Sequence, residues 1–465
     1  MKVPRKYLIL IILFLPLWGL CSTNAYAVKR SEKKSISPPQ IPAPALLPGT
    51  RSDMNSPGFW IGRHPFPNKI ILDERKIQTL NEAIRNELKI SYDLTAFPDH
   101  YPGESLIAAL NQDYVTISGI RLYRCGGESV TKSLLSSIKL NMNVESIPSR
   151  IFVKFGFITR YADLRVLPVT EGFYQARVIR DFDRLQNSAL DVATAVAILH
   201  TSYDGKWHYV IASHGEGWVE AGRVIPCEFD EMKKFVSEKD FVVVTSSKGE
   251  LYLDSEMTEF YERVRMGQRF PLIQEHADKM EVILPERDPR GSIRFISVFV
   301  RKKDVSRGFL PYTPRNIIVQ AFEFLNDPYG WGDMNGDQDC SSFIRGIFAT
   351  VGLELPRNSF FQSRIGHPLE SFDGKAPPEQ KKEILSSSGI GGITLLRMAG
   401  HIMLYLGSVD GVPFAIHGIY GYHDVVNNKE YVKVVNRIIV SDLDLGKSTR
   451  VGSFINRIDR IRIVE

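Results

Sequence analysis

The chain has 465 residues, with 58 lysines and arginines against 53 acidic residues and a hydrophobic content of 43%. That length accommodates about three domains, and the composition is typical of a folded globular protein. A net charge of only +5 gives no electrostatic basis for nucleic-acid binding.

Residues 1–27 have the pattern of a secretory signal peptide. Three basic residues precede an apolar run at 7–20, and Ala25-Tyr26-Ala27 offers a small-x-small cleavage site. The run is short for a bilayer span, and no later stretch is long and apolar enough for a membrane helix. We therefore expect export to the periplasm or cell envelope. Cys21 would mark a lipoprotein, but the bulky residues before it match a lipid-attachment motif poorly.

Cleavage after Ala27 would leave three cysteines, Cys125, Cys227 and Cys340. An odd count in an exported protein leaves a free thiol or an intermolecular bridge. Pairing of Cys125 with Cys227 would leave Cys340 free, but the sequence does not decide this.

The N-terminal part of the mature chain divides into a tether and a helical segment. Residues 28–52 are basic and then proline-rich, which is typical of an extended tether. Residues 53–145 predict a small helical domain or a wrapping arm, in which Asp73 caps a helix with one apolar face.

Two β regions follow, at 146–228 and 229–310. Short apolar segments alternate with turn signals in both, as at Tyr203-Asp204-Gly205-Lys206. We predict two consecutive small β-barrels. The predicted strands are 151–153, 192–199, 208–212, 241–245, 250–253, 280–284 and 293–300.

From 311 to 465 the pattern predicts an α+β domain. A helix is expected at 316–325 and a second one beginning near Cys340. Segments 391–406 and 412–416 are predicted as strands joined by a turn at Asp410-Gly411.

Cys340 is the strongest candidate for a nucleophile. It follows a stretch rich in turn formers and opens an amphipathic helix, so it falls in the first helical turn. Free N–H groups and the helix dipole favour a thiolate at that position. The alternative is a buried structural cysteine.

A cysteine nucleophile needs a base and a group that orients the base. His401 opens an apolar strand and His417 follows the next one, so a hairpin would place both near the Cys340 helix. The alternative is that either histidine is only a polar residue at a strand edge.

No metal or cofactor is expected. The alternating acids at 333–339 resemble half of a calcium loop, but Gln338 and Ile344 stand where such a loop needs glycine and glutamate. No His-Glu-x-x-His or Cys-x-x-Cys motif appears for zinc.

Five motifs occur in the order found in the NlpC-type peptidoglycan endopeptidases, which the chain resembles over about 311–465. They are Tyr329-Gly330-Trp331-Gly332, Asp339-Cys340-Ser341-Ser342-Phe343, Leu355-Pro356-Arg357-Asn358-Ser359, 400–407 and Ile416-His417. The resemblance implies a papain-like cysteine peptidase domain preceded by two bacterial SH3-like barrels. Segments 160–168, 217–219 and 266–272 match those barrels.

The resemblance implies hydrolysis of the γ-D-glutamyl–L-diamino acid amide in peptidoglycan peptides or murein fragments, with a preference for a free N-terminal L-alanine. Cys340, His401 and His417 would be nucleophile, base and orienting group, and Tyr329 would help to hold the oxyanion. Asp339 and Ser341 would contact the substrate amine, with Ser359 in the same pocket and Trp331 lining the groove. Asp163, Asp183 and Tyr203 are further candidates for amine contact.

The sequence departs from the family pattern at three places. Asp333 replaces a glycine, the strand start at 392–395 lacks the usual acid, and about twenty additional polar residues occupy 371–391. Two other functions stay open. One is a non-catalytic murein-binding protein, and the other is a muramoyl-alanine amidase or acyltransferase that uses the same cysteine.

Overall fold

The computed structural model describes residues 44–465 except 90 and 372–375. The predicted leader, Cys21 and most of the predicted tether lie outside the described residues. The last tether residues, in contrast, belong to the folded body, because Leu47 is buried in a core cluster and the Ala45 carbonyl accepts a hydrogen bond from Arg437.

The N-terminal segment is an arm that packs on two different domains. Trp60 and Ile77 are buried in the core of the C-terminal domain, whereas Leu106 and Leu110 are buried against the first β domain. Asp73 caps its helix as expected, since its side chain accepts from the Lys76 N–H. The elements are α1 (Pro57–Ile61), α2 (Glu74–Ala83), β1 (His100–Pro102), α3 (Gly103–Ser118), α4 (Lys132–Asn141) and β2 (Arg150–Phe152).

The first β domain is an antiparallel sheet of seven strands within the described chain. The sheet order is β5-β4-β8-β7-β6-β3-β9. Trp218 and Tyr209 pack edge to face in its core, with ring centroids 5.5 Å apart. The strands are β3 (Lys154–Ile158), β4 (Ala162–Arg165), β5 (Gln186–Leu190), β6 (Ala195–Thr201), β7 (Trp207–Ala212), β8 (Gly215–Glu220) and β9 (Val224–Cys227).

Helix α5 (Phe229–Val236) leads into a second antiparallel sheet, also of seven strands in the described chain. Its order is β12-β11-β15-β14-β13-β10-β16, and its core is rich in valine. The strands are β10 (Phe241–Val244), β11 (Lys248–Tyr252), β12 (Phe260–Arg265), β13 (Arg269–Glu275), β14 (Lys279–Arg287), β15 (Ile293–Arg301) and β16 (Val305–Arg307).

The C-terminal domain packs helices against one antiparallel sheet, in the order β17-β22-β18-β19-β20-β21. Helix α7 lies on β19 and β20, so its apolar face and the sheet share one core. The elements are α6 (Pro314–Glu323), α7 (Cys340–Ala349), α8 (Ser359–Gln362), β17 (His367–Ser371), α9 (Pro378–Ser388), β18 (Thr394–Met398), β19 (His401–Val409), β20 (Val412–Val426), β21 (Lys429–Asp442), α10 (Phe454–Arg457) and β22 (Arg460–Ile463).

Two strand predictions in this domain were wrong. The segment expected as one strand at 391–406 is a hairpin of β18 and β19 that turns at Gly400, where φ is +73°. The strand expected to end at Ile416 continues to Val426 because β21 pairs along its whole length. His417 therefore lies inside a strand rather than after one.

Among the described residues, no helix has both the length and the apolar character needed to cross a membrane.

Candidate active site

Cys340 is the first residue of α7, as the sequence predicted, and its side chain is only 6% exposed. Asp339 caps this helix. Its carboxylate accepts from the N–H groups of Ser341 and Ser342, at 3.0 and 2.9 Å, and the Ser342 hydroxyl lies 3.0 Å from the Asp339 N–H in return. This reciprocal cap fixes the first turn and thereby the position of the thiol.

A line of hydrogen bonds runs from His401 into the domain core. His401 Nε2 lies 2.8 Å from His417 Nδ1, and His417 Nε2 lies 2.9 Å from the Ser441 hydroxyl. His401 acts as a base through Nδ1 only if that nitrogen is unprotonated. In that tautomer His401 Nε2–H donates to His417, and His417 Nε2–H donates to Ser441. Ser441 is thus the last member of this series of hydrogen bonds, and the sequence analysis did not identify it.

The thiol lies beside the start of β19. The backbone N–H groups of Ile402 and Ser341 act on its sulfur, and Ile402 adjoins His401 in the chain. The structure therefore brings Cys340, His401 and His417 together, as a nucleophile, base and orienting group require.

Burial decides the charge state of this pair. Desolvation, with the Asp339 charge second, raises the pKa of the Cys340 thiol to about 12. Desolvation lowers the pKa of His401 to about 3, and it depresses that of His417 as well. The expectation of a preformed thiolate at the helix start was therefore wrong, because burial outweighs the helix N-terminus here. The pair is neutral at pH 7, and the proton must move to His401 as the sulfur attacks.

Two donors are available for an oxyanion near Cys340. The Cys340 N–H has no acceptor among the described residues, whereas the next two N–H groups bond the Asp339 side chain. Tyr329 is the second donor. Burial, with the nearby Cys340 next, raises the pKa of its phenol, so the O–H stays protonated.

Asp339 is already paired with a cation. Arg357 Nη2 lies 2.7 Å from its carboxylate, and the Ser341 hydroxyl also bonds Arg357 Nη1, at 2.8 Å. The predicted contact of Asp339 and Ser341 with a substrate amine would therefore place the ammonium beside a guanidinium. A second carboxylate is needed to bind an amine here.

Asp333, which stands where the family pattern has glycine, is the centre of a buried charge cluster. It is fully buried and lies 2.9 Å from Arg265 of the second β domain and 3.3 Å from Arg357. Ser188 of the first β domain donates to it at 3.1 Å. Although burial opposes ionisation, Arg357 and Arg265 hold the pKa of Asp333 well below its usual value. This carboxylate therefore joins three domains.

The acids of the calcium-like segment are occupied by basic side chains. Besides the arginine pairs of Asp333 and Asp339, Asp337 accepts from Lys248 at 2.5 Å. Groups of three or more potential metal ligands do not occur in the part of the chain that the structure describes. Cys125, Cys227 and Cys340 are all free thiols.

Trp331 lies where the first β domain meets the C-terminal domain. Its Nε1 donates to the Asp183 carbonyl at 3.0 Å, and Phe182 packs between Trp331 and Tyr420. The next residue approaches β5 closely, since a Cβ on Gly332 would lie 2.7 Å from the Gln186 carbonyl. Ser359 begins α8, but no contact joins its side chain to Asp339 or Ser341 among the described residues.

The three further candidates for amine contact fall at different places. The Asp183 carboxylate is buried against Arg165, at 2.6 Å. Tyr203 is 81% exposed on the turn between β6 and β7. Asp163 is exposed, accepts from Gln186 Nε2 at 2.9 Å, and has no cation within ion-pair distance among the described residues. The same Gln186 nitrogen bonds the Gly332 carbonyl at 3.1 Å, which places Asp163 near the Trp331 loop.

A cysteine at the start of a helix that packs on an antiparallel sheet, with two hydrogen-bonded histidines on the adjacent strands, is the arrangement of the papain-like cysteine peptidase class. Comparison with known proteins places the domain more closely. Residues 326–434 match the NlpC/P60 family, and residues 174–220 match the SH3 domain of SH3b1 type. The C-terminal domain thus matches the NlpC/P60 family, as its motifs had indicated, and an SH3b domain precedes it.

Three relatives illustrate the similarity. A γ-D-glutamyl-L-lysine dipeptidyl-peptidase of Bacillus cereus (strain ATCC 10987 / NRS 248) is 28% identical over 132 residues, which is 28% of this chain and 38% of that protein. The structure of an NlpC/P60 endopeptidase from Photobacterium damselae subsp. piscicida is 22% identical with a TM-score of 0.71, covering 86% of this chain and 95% of the other. An NlpC/P60 protein structure from Bacillus cereus ATCC 10987 has 18% identity and a TM-score of 0.48, covering 66% and 98%.

The Photobacterium structure shows that the fold is shared over most of the chain and not only over the C-terminal domain. The matched region of the curated relative, in contrast, is well under two thirds of that protein's length.

Proposed function

We propose that this chain is an exported cysteine endopeptidase that hydrolyses the γ-D-glutamyl–L-diamino acid amide of peptidoglycan peptides and prefers a free N-terminal L-alanine. The observation that carries the proposal is the thiol of Cys340 at the α7 start beside the His401–His417–Ser441 line. The name of the Bacillus cereus relative, a γ-D-glutamyl-L-lysine dipeptidyl-peptidase, supports the assignment of the bond that is cleaved. The leader-like residues 1–27 support export.

The geometry supports acyl transfer through a thioester. The Cys340 proton passes to His401 Nδ1 as the sulfur attacks the γ-carbonyl, and the oxyanion is held by the Cys340 N–H and the Tyr329 O–H. His401 then protonates the leaving amine of the diamino acid. A water molecule gives one proton back to His401 and attacks the thioester. The C–S bond then breaks, His401 returns this proton to the Cys340 sulfur, and the product is released as the γ-carboxylic acid, which ionises in water.

Recognition of the substrate amine falls to Asp163 in this proposal. Asp339 is neutralised by Arg357, and Asp183 by Arg165, so neither offers a free charge. Asp163 makes no ion pair among the described residues and lies beside the Trp331–Gly332 segment at the rim of the first β domain. An ammonium placed there would gain a charge-assisted hydrogen bond.

The experiment is mass spectrometry of the products from L-Ala-γ-D-Glu-diaminopimelate, and from its L-lysine counterpart, with the full chain and Cys340→Ala. Release of L-Ala-D-Glu by the wild type alone is the expected result. A muramoyl tripeptide assayed in parallel distinguishes an amidase, which would release the intact tripeptide from it, and murein binding without cleavage by either protein would favour a wall-binding protein.

The amine preference has its own test. Asp163→Asn should raise KM about tenfold for the free-amine substrate and leave the N-acetylated substrate unchanged. Asp181→Asn is the matched control, since Asp181 accepts a hydrogen bond from Tyr420 near the same aromatic group and should not change either substrate. Equal effects of the two variants would remove Asp163 from this role.

A further inference from the structure

A cavity of about 420 Å³ lies apart from the candidate active site, where four parts of the chain meet. Its walls come from residues 91–95 of the arm, the β7–β8 turn of the first β domain, the start of β13 in the second, and the C-terminal half of α7. Its size is that of pockets for small molecules. Cys340, the two site histidines, Tyr329 and Trp331 are not among its lining residues.

Three nitrogen-bearing side chains line this cavity without a partner. The Nε atoms of Arg345 and Arg269 and the Nε2 of His214 are buried and make no hydrogen bond among the described residues. Neither arginine has an ion-pair partner in the described chain. The Arg269 guanidinium instead lies 3.9 Å from the ring centroid of Phe241.

The acidic side chains near these arginines already have other ion-pair or hydrogen-bond partners. Asp191 pairs with Arg265 at 2.9 Å, and Glu354 pairs with Arg85 at 2.6 Å. Asp333, whose charge acts on Arg345 at longer range, is shared by Arg265 and Arg357. The other two lining acids, Asp93 and Glu238, accept hydrogen bonds from nearby backbone N–H groups.

The cavity is therefore lined by two guanidinium groups, those of Arg345 and Arg269, that have no ion-pair partner among the described residues. Burial lowers the pKa of Arg345 to about 10, which leaves its guanidinium charged at pH 7. A charge withdrawn from water without a partner is costly, and the cost is recovered when a counterion binds.

We propose that this cavity is a binding site for a small oxyanion, carrying phosphate or carboxylate groups, that is held by Arg345 and Arg269 with His214 as a third donor. The site is independent of the peptidase reaction. Because its walls come from the arm, both β domains and α7, a bound anion would join all four and stabilise their arrangement.

The test is thermal unfolding and calorimetric titration of the full chain with sodium phosphate and, separately, sodium citrate, each against sodium chloride at equal ionic strength. Phosphate, citrate or both should raise Tm by about 2 °C or more at tenfold excess over Kd. Whichever of the two salts stabilises the protein identifies the chemical group that is recognised.

Arg345→Met and Arg269→Met are two independent variants, and Arg290→Met, in the exposed β14–β15 turn, is the control. Each cavity variant should weaken anion binding about tenfold or more, and the control should bind as the wild type does. Without added anion, Arg345→Met should be at least as stable as the wild type, because it removes an unpaired buried charge. A wild-type response no larger than that to chloride, or full anion binding by both cavity variants, would refute the site.

Discussion

Replacing Asp333 by glycine restores the family pattern, yet we expect it to destabilise this protein. The change removes a fully buried carboxylate that pairs with Arg265 and Arg357. Removing one partner of a buried pair costs about 3–5 kcal/mol. Arg265 keeps Asp191 and Arg357 keeps Asp339, which places the cost at the low end of that range.

The backbone conformation of residue 333 partly offsets this loss of stability. Asp333 has φ of +68°, where glycine is favoured over other residues by about 1 kcal/mol. The difference leaves a net destabilisation of about 2 kcal/mol for Asp333→Gly. Equilibrium urea unfolding followed by tryptophan fluorescence measures it.

Asp410→Gly is the matched control for the backbone effect. Asp410 also has a positive φ, of +51°, but it is exposed in the β19–β20 turn and makes no ion pair among the described residues. It should be neutral or slightly stabilising. Asp333→Asn, which loses the charge without gaining the glycine backbone, should be at least as unstable as Asp333→Gly. If Asp333→Gly equals or exceeds the wild type in stability, the buried cluster does not hold the domains together as argued.

Three further outcomes are expected. Ser441→Ala should lower kcat about tenfold and alter the pH–rate profile, because His417 loses its hydrogen-bond acceptor. Ser441→Thr should restore both. An unchanged pH–rate profile in Ser441→Ala would mean that Ser441 only contributes to packing. Tyr329→Phe should lower kcat/KM about tenfold or more with an unchanged Tm, and wild-type kinetics would exclude it from oxyanion binding. The contribution of His401 and His417 to the unfolding free energy should fall below pH 6.5, by up to about 2.7 kcal/mol per pH unit, since the unfolded chain protonates both while the folded state keeps them neutral. His417→Gln should reduce that slope and His367→Gln, at an exposed position, should not; equal slopes would contradict the depressed pKa.

The pH prediction follows from the sign of the shifts. The pKa of His401 is lowered in the folded state, so the unfolded state binds more protons between about pH 3 and 6.5. Stability that is present above pH 6.5 is therefore lost as the pH falls through this range. The kcat/KM of the neutral thiol–imidazole pair should, for the same reason, be nearly constant around pH 7.

Much of the site was predictable because its signals are local. The capping acid, the first-turn cysteine and the apolar face of α7 lie within a few residues of one another, and helical periodicity orders them. His401 at a strand start is likewise a feature of adjacent residues. The strands and turns of the first β domain were predicted from their spacing, and the match of residues 174–220 to an SH3 domain agrees with the resemblance of segments 160–168 and 217–219.

Some local features were still misread. The segment 391–406 is continuous in apolar character, so its turn at Gly400 was not recognised. The polar insertion at 371–391 was expected only as additional residues, but it contains helix α9, which packs on the domain core through Leu385.

The tertiary structure alone decided which charges and protons meet. Ser441 reaches His417 only because β20 and β21 pair, and Asp333 meets Arg265 only because the second β domain packs on the C-terminal one. Asp339 is neutralised by a residue 18 positions away, and burial raises the pKa of Cys340 against the helix dipole. The sequence by itself determined the candidate residues of the site, through capping and periodicity that act over short distances and through the order of the family motifs. Their protonation states and partners depend on burial and on contacts between distant segments, which only the folded chain establishes.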